Sequence, residues 1–445
     1  MSATLKHALV SLRELAFTAG PFIALAAALL AAAYYFLQPN PPRRVVLATG
    51  VEQGAYAEFG RRYAEILSAH GITVELRGTQ GAAENLALLR RPDSGIDIGF
   101  VQGGADGSDA AIEPNSDGLV SLGSVFNEPV WLFYREPSAQ RLLGAPMLSA
   151  LNQLPGWKVN VGAAGSGVPP LVQRLLEANH VESATLALSR QPVTPAVVDL
   201  LEGRLDALVL ASAPESAMVQ MLLMTPGIRL FDFAQAEAYS RRFTFLAPLV
   251  LPRGVVDLAR DLPPADVHLV APKATLVARK SLHPALVQLF VQAAQQVHGG
   301  AGWFQRKGDF PNASDTERPM ADEALRIYRN GVPWLQRYLP FWMANLADRM
   351  WVVVLGLLAV LIPISRVVPP LYQFRIRSRV FRWYGQLREV ETALGQQPAA
   401  ELLKKLDEIE AGLGHVTVPL SYTDELYALR GHIQLVRARV NEAPA

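Results

Sequence analysis

The sequence predicts an α/β protein: two similar lobes hinged as a clam-shell, held between two membrane-spanning helices and followed by a small helical tail. Three observations carry this prediction. Apolar stretches near the two ends of the 445-residue chain approach the roughly 20 residues that a helical span needs. Between them, strand and helix patterns alternate, which calls for parallel sheets with covered faces. That alternation occurs twice with the same punctuation, the mark of an internal repeat.

The first apolar stretch is residues 15–42, which hold no charged residue; its bulkiest part, residues 22–37, reads FIALAAALLAAAYYFL. The alternative is a cleaved signal peptide, with Ala31-Ala32-Ala33 as the small-residue site. Tyr34-Tyr35-Phe36-Leu37 prolongs the run with interfacial aromatics and favours a retained span over 15–38, leaving 1–14 as an N-terminal tail. The second stretch, residues 350–365, reads MWVVVLGLLAVLIPIS. It is short alone, and a buried core helix is the competing reading. Val367, Val368 and residues 369–372 extend it past Arg366, whose head can snorkel, so the span is taken as 346–370. Arg366, Arg375, Arg377, Arg379 and Arg382 follow it, against Arg337 and Arg349 before it. The positive-inside rule then puts both termini in the cytoplasm and residues 43–345 outside.

Within that outer segment, Pro39, Pro41 and Pro42 make a stiff spacer. Val45 to Thr49 reads as a buried strand. Phe59, Tyr63, Ile66 and Leu67 then recur at helical spacing. Ile72 to Leu76, a helix with Leu86, Leu88 and Leu89, and a strand over Ile96 to Val101 complete a βαβαβ unit. The pattern returns at Lys158 to Gly162, the helix through Leu171, Leu175 and Leu176, and the strand at Thr185 to Leu188. Leu88-Leu89 followed by Asp97 and an apolar strand matches Leu200-Leu201 followed by Asp206 and another. Extended crossings near 124–134 and 243–251 give lobe 1 as 45–132 with 246–320, including a helix over 284–297, and lobe 2 as 133–245.

In such a layout strand C-termini and helix N-termini converge on the cleft. Three Gly-containing turns sit there: Gly54-Ala55-Tyr56, Thr79-Gln80-Gly81 and Gly165-Ser166-Gly167. Each should aim unpaired N–H groups and a positive helix end at a carboxylate or other anion. Glycine needed merely for turning explains any one of them; the repetition favours a shared site. Tyr56 either meets a ligand or packs on its lobe. Glu84 and Asn85 lie one turn into their helix, where Glu84 complements the helix dipole. Gln102 stands at a sheet edge facing the cleft. Asn127 and Trp131 are hinge or cleft-wall residues.

Composition narrows the chemistry. With 41 Lys+Arg against 40 Asp+Glu, no net basic character points to nucleic acid. The absence of Cys excludes disulfides, thiolate metal sites and thiol nucleophiles. Histidines 70, 180, 268, 283 and 298 are isolated, and no H-E-x-x-H occurs. Ser166 lacks the G-x-S-x-G elbow. The Gly162–Gly167 stretch has no acidic ribose ligand about 20 residues on; Arg190 sits there. No enzyme, metal or cofactor is expected.

Thr49-Gly50 with Gly54-Ala55-Tyr56, residues 79–86 (TQGAAENL), residues 97–102 (DIGFVQ), residues 157–163 (WKVNVGA) and Gly165-Ser166-Gly167, taken in order, resemble the TAXI-type solute receptors of tripartite ATP-independent periplasmic (TRAP) transporters over about 45–300. The resemblance implies the two-lobed periplasmic-binding-protein fold, closing on a small carboxylate-bearing metabolite and handing it to integral-membrane TRAP subunits. It carries ligand contact onto Tyr56, Thr79, Gln80, Gly81, Asn85, Gln102, Gly165, Ser166 and Gly167; Gly54 and Ala55 join these candidates through the turn they form with Tyr56. The chain departs from the family pattern at Ala55-Tyr56-Ala57-Glu58, Gln80 and Ala82, so ligand identity does not transfer. Residues 333–342 and Arg382-Trp383-Tyr384 resemble a membrane-anchored branch of these receptors.

The expected protein is therefore a tethered solute-binding protein of a bacterial inner membrane, its main domain periplasmic. Its partners are an anionic or zwitterionic metabolite, TRAP subunits and the lipid bilayer, with no nucleic acid. The alternative is a sensor relaying lobe closure to the tail, 373–445. That tail should form a helical hairpin broken at Pro398, with Leu402, Leu403, Leu406 and Ile409 on one face. Ser421-Tyr422-Thr423-Asp424 should cap a helix through Leu426, Leu429, Ile433 and Val436.

Overall fold

A computed structural model describes residues 3–37, 40–106, 117–314, 317–413 and 423–442. It divides into two compact units, Asn40–Asn345 and Met1–Pro39 with Leu346–Ala445. The chain opens with helix α1 (Ala3–Leu37) of the smaller unit.

The larger unit begins with β1 (Arg44–Ala48), α2 (Ala55–Ser68), β2 (Thr73–Arg77), α3 (Ala82–Arg90) and β3 (Ile98–Gln102). β1 pairs in parallel with β2 and with β3, the βαβαβ unit that the alternation requires. Leu47, Ile98 and Phe100 are fully buried, and Tyr63 and Leu67 of α2 pack on them while Phe59 and Ile66 border the same core. β4 (Leu119–Asn127) and β5 (Val130–Arg135) carry the chain into a second lobe. There the order is α4 (Glu136–Leu143), β6 (Lys158–Asn160), α5 (Val168–Ala178), β7 (Ala187–Ser189), α6 (Val193–Leu201), β8 (Ala207–Ala211), α7 (Ala217–Met224), β9 (Ile228–Leu230), α8 (Ala236–Arg242) and β10 (Leu246–Leu251). The return is β11 (Val267–Arg279), then α9 (Pro284–His298) and α10 (Asp322–Asn330).

One sheet runs β10-β11-β3-β1-β2 with β4 also on β11; the other runs β7-β6-β8-β5-β9. Each holds a parallel trio flanked by an antiparallel strand, β11 in one and β5 in the other. The repeat reaches single side chains. Asp97 accepts the N–H of Val46 at 2.8 Å, and Asp206 accepts that of Lys158 at 2.9 Å. In both lobes an aspartate just before one strand thus caps the start of the central one. Asp206 further accepts from the Ser138 hydroxyl at 2.7 Å.

The second crossing differs from its expected place at 243–251. Leu246, Leu251, Leu269 and Val270 all pack in the second lobe's core, whereas Ala274, Leu276 and Val277 pack in the first. β11 itself spans both lobes, so the chain crosses near Pro272 and Lys273. The strand over residues 267–276 is therefore shared rather than a member of the first lobe alone.

In the smaller unit, α1 and α11 (Phe341–Thr392) are each long and apolar enough to cross a membrane. Ile23, Leu25 and Leu29 on one, and Val352, Leu355 and Ile362 on the other, are exposed. Pro39 of the expected spacer lies outside the described residues. α11 runs unbroken past Pro363, Pro369 and Pro370, and its far end joins the tail, which is therefore more than a hairpin. Ile376, Val380, Leu387 and Val390 line one face of that far end and share a core with α12 (Ala399–Leu413) and α13 (Thr423–Glu442). Leu402, Leu406, Ile409, Leu429, Ile433 and Val436 fill that core. Pro398 stands at the start of α12, its carbonyl accepting the N–H of Glu401 at 3.0 Å. Of the expected cap, Ser421 and Tyr422 lie outside the described residues.

Candidate functional site

The C-terminal end of β1 leads through Gly50 to α2, and the facing end of β6 leads through Gly162 to α5. Between these turns lies a cavity of about 320 Å³, within the size range of small-metabolite sites. Of the anticipated residues, Gly54, Ala55, Tyr56, Gln80, Gly81, Gln102, Ser166 and Gly167 line it. Thr79, Asn85 and Gly165 do not.

Thr79 and Asn85 instead lock the floor of the first lobe. The Asn85 amide donates to the carbonyl of Phe100 at 2.8 Å and to that of Thr49. Its oxygen accepts from the Thr79 hydroxyl at 2.7 Å, and that hydroxyl accepts the Gly81 N–H at 3.1 Å. Asn85 is fully buried, so the four segments it joins form a rigid corner under the cavity.

The three turns are not equivalent anion sites. At α2, Glu58 is the first residue whose N–H returns to the cap, at Gly54. The N–H groups of Ala55, Tyr56 and Ala57 thus keep the unpaired, positive character of a helix start. At α3, the Glu84 N–H already donates to the Gly165 carbonyl at 3.0 Å, and the Gln80 N–H donates to the Glu84 carboxylate at 2.7 Å. At α5, Pro169 and Pro170 occupy the first turn and have no N–H to give. Among the described residues, only the α2 start keeps all three first-turn N–H groups without a backbone partner; α3 has committed one and α5 lacks two.

The Gly165–Gly167 turn is where the lobes touch. A Cβ on Gly165 would stand 2.7 Å from the Gln80 Cβ, and one on Gly167 would stand 2.1 Å from Gln102 Oε1. At Gly165 the neighbour is a Cβ, which cannot swing aside, so glycine is needed there; at Gly167 it is the end of the Gln102 side chain, which can move. Gly165→Ala should therefore prop the lobes apart and break the Glu84–Gly165 bond. The expected result is about tenfold or greater loss of ligand affinity with a larger radius of gyration by small-angle scattering. Unchanged affinity would mean that the contact is incidental.

Sequence reasoning missed the residue with the most distinctive chemistry. Glu128, in the crossing between β4 and β5, lines the cavity and is 5% exposed. It accepts from the Tyr56 hydroxyl at 2.8 Å, which makes Tyr56 a buried partner of the crossing; the ring also stacks on Phe100 at 5.0 Å. Burial pushes the Glu128 carboxyl up to about 8, outweighing the lowering effect of Tyr56. Burial, and then Glu128 itself, raises the Tyr56 hydroxyl well above its ordinary range. The available signal was a single acid inside the apolar run 119–135. Gln102 lines the cavity, is 2% exposed, and its Nε2 is a buried donor without a partner. Among the described residues, the lining holds two acids, Glu52 and Glu128, and no Lys, Arg or His. Val51, Val168, Val193, Leu210 and Met218 supply apolar wall. Trp131 belongs to the second lobe's core, its indole N–H donating to the Ser212 carbonyl at 2.9 Å.

The sequence model of the NMT1-like family matches residues 47–295, more than half of the chain. The chain belongs to the NMT1-like family. In this NMT1-like protein every residue lining the cavity between the β1 and β6 turns falls inside the matched stretch, and both long apolar helices fall outside it. No curated protein sequence matches the chain. Among solved structures it is similar to the alkanesulfonate-binding protein of Xanthomonas axonopodis pv. citri bound to MOPS, at 13% identity and TM-score 0.39, over 58% of this chain and 74% of that one. It is similar to a protein of Bordetella bronchiseptica RB50 at 13% identity and TM-score 0.41, over 69% and 98%. It is also similar to the periplasmic aliphatic sulphonate binding protein of Escherichia coli at 14% identity and TM-score 0.34, over 72% and 83%.

Proposed function

We propose that this NMT1-like protein is a membrane-tethered, extracytoplasmic solute receptor that closes two lobes on a small zwitterionic metabolite. The observation that carries the reading is the cavity between the lobes, with its two poles. One pole is the α2 start, whose N–H groups at residues 55–57 suit a carboxylate. The other is Glu128, which suits an ammonium group. Gln102 Nε2 offers a third, neutral contact. The TAXI-like motifs favour delivery to a TRAP-type membrane transporter. The two long apolar helices favour a tether, which would raise the effective concentration of receptor near a membrane partner.

A second reading, a sensor that relays lobe closure to cytoplasmic helices, draws on the unbroken α11 and the helical core at its far end. Deleting residues 393–445 separates the two. Lost signalling with uptake intact favours the sensor, and lost uptake with ligand binding intact favours transport.

The direct test is thermal unfolding of the full chain in detergent against amino acids, simple amines, mono- and dicarboxylates and keto acids. A ligand at about 100 times its Kd should add roughly 2.7 kcal/mol to the folded state. Selective stabilisation by zwitterions is expected. No shift across the panel would sink the receptor reading, and a shift with carboxylates alone would remove Glu128 from recognition.

A further inference from the structure

Successive residues of an extended strand face opposite ways. Glu128 faces the cavity described above; its neighbour Asn127 lines a second one, of about 350 Å³, on the other side of the crossing. The walls of the second cavity are aromatic: Phe59, Phe126, Trp303 and Phe304. His298, at the end of α9, closes it among these rings. Its imidazole meets Phe59 edge-on at 4.5 Å and stacks on Phe126 at 5.5 Å.

Two polar atoms in this wall are buried without a partner: His298 Nε2 and Asn127 Oδ1. His298 is 4% exposed. An unpaired buried polar atom costs about 1–3 kcal/mol, so two in one aromatic cavity point to a missing hydrogen-bonding occupant. Charge tells what the occupant is not. Arg61 and Arg62 at the rim are both engaged by Glu58, at 2.7 Å and 3.2 Å, and Glu215 adds a further acid to the lining. Burial, helped by Arg62, takes the imidazole down to about 3 and keeps it neutral. The lining's two arginines are thus matched by two acids, Glu58 and Glu215, leaving no net charge to select an anion, and the flat rings favour a flat partner.

We infer that the second cavity is a binding site, adjoining the first, for a small, neutral aromatic or heteroaromatic molecule carrying one N–H or O–H donor. The donor meets Asn127 Oδ1, a hydroxyl oxygen can in addition accept from His298 Nε2, and the ring sits among Phe59, Phe126, Trp303 and Phe304. The two cavities share Gln53, Gly54, Ala55 and Ser216, but the aromatic wall, Asn127 and His298 belong to the second alone.

The test uses the full chain in detergent, with indole and phenol as probes and benzoate as the anionic control. Titration calorimetry and saturation-transfer NMR read the binding. Indole or phenol should bind and benzoate should not. Ala217→Phe, which fills the cavity from an exposed position, should abolish binding. His298→Phe keeps the ring stack but removes the nitrogens, and should weaken binding by about tenfold or more. Circular dichroism confirms that each variant is folded. The proposal is overturned if neither probe binds, if benzoate binds as well as they do, or if binding survives Ala217→Phe unchanged. Should His298→Phe fail to fold, Ala217→Phe alone still decides.

Discussion

Asn85→Ala should destabilise the larger unit by about 3 kcal/mol, the cost of breaking a buried polar network and leaving its partners unsatisfied. The side chain is fully buried and bonds to Thr49, Thr79 and Phe100. Truncation leaves the Phe100 carbonyl without its side-chain donor and opens a small void beneath the cavity. For a unit of this size, about 2–4 °C of Tm accompanies each kcal/mol, so a fall of roughly 6–12 °C is expected by circular dichroism. Asn85→Asp is the sharper variant. It turns the donating amide nitrogen into an oxygen facing two carbonyl oxygens, and it should cost more than the truncation. Ligand affinity should fall only as far as the fold loosens, because Asn85 does not line the cavity. A Tm within about 1 °C of wild type, together with a large affinity loss, would instead make Asn85 a ligand contact.

The βαβαβ unit and the repeat were legible because they rest on local signals. Val45 to Ala48 and Ile98 to Gln102 are short apolar runs, and Asp97 and Asp206 open matching strands. The same position in the repeat then produces the same hydrogen bond. The second crossing was misplaced because residues 246–251 and 267–271 are apolar whichever lobe they join. Only the pairing of β11 with β10 at one end and with β3 and β4 at the other decides.

The site was legible as a place and less so as chemistry. Residues of all three glycine turns line the cavity. Their N–H supply depended on partners from the facing lobe: Gly165 reaches Glu84 across 81 positions of sequence, and no local pattern encodes that contact. The shortage at α5 was readable, since Pro169 and Pro170 stand in the sequence and proline has no N–H. Glu128 escaped notice because a lone acid in a crossing reads as a hinge surface residue until burial is known.

Glu128→Gln should move stability and binding in opposite directions. The wild-type carboxyl titrates at about 8 in the fold, against 4.5 for an ordinary glutamate. Between those values the folded chain holds a proton that the unfolded chain has lost. Stability therefore falls as pH rises through this window, by about 1.4 kcal/mol per unit, and levels off above pH ~8. This is the reverse of a salt-bridged carboxylate. Glutamine keeps the shape, cannot ionise and can still accept from Tyr56. At pH 7 the variant should be more stable than wild type by about 3 kcal/mol, with the difference vanishing near pH ~4. The group facing this carboxyl is the Tyr56 hydroxyl; Glu52 is the other acid of the lining. Lys273, on the paired strand β11, is held by Ser314 at 3.0 Å. An ammonium-bearing ligand draws the proton off Glu128, so wild-type affinity should rise with pH towards ~8. Without the charge, affinity should fall by about 100-fold, the worth of a charge-assisted hydrogen bond, and lose its pH dependence. A stabilised protein that no longer binds marks Glu128 as kept for its ligand at a cost to the fold. A destabilised variant that binds normally would make it an anchor for the crossing between β4 and β5.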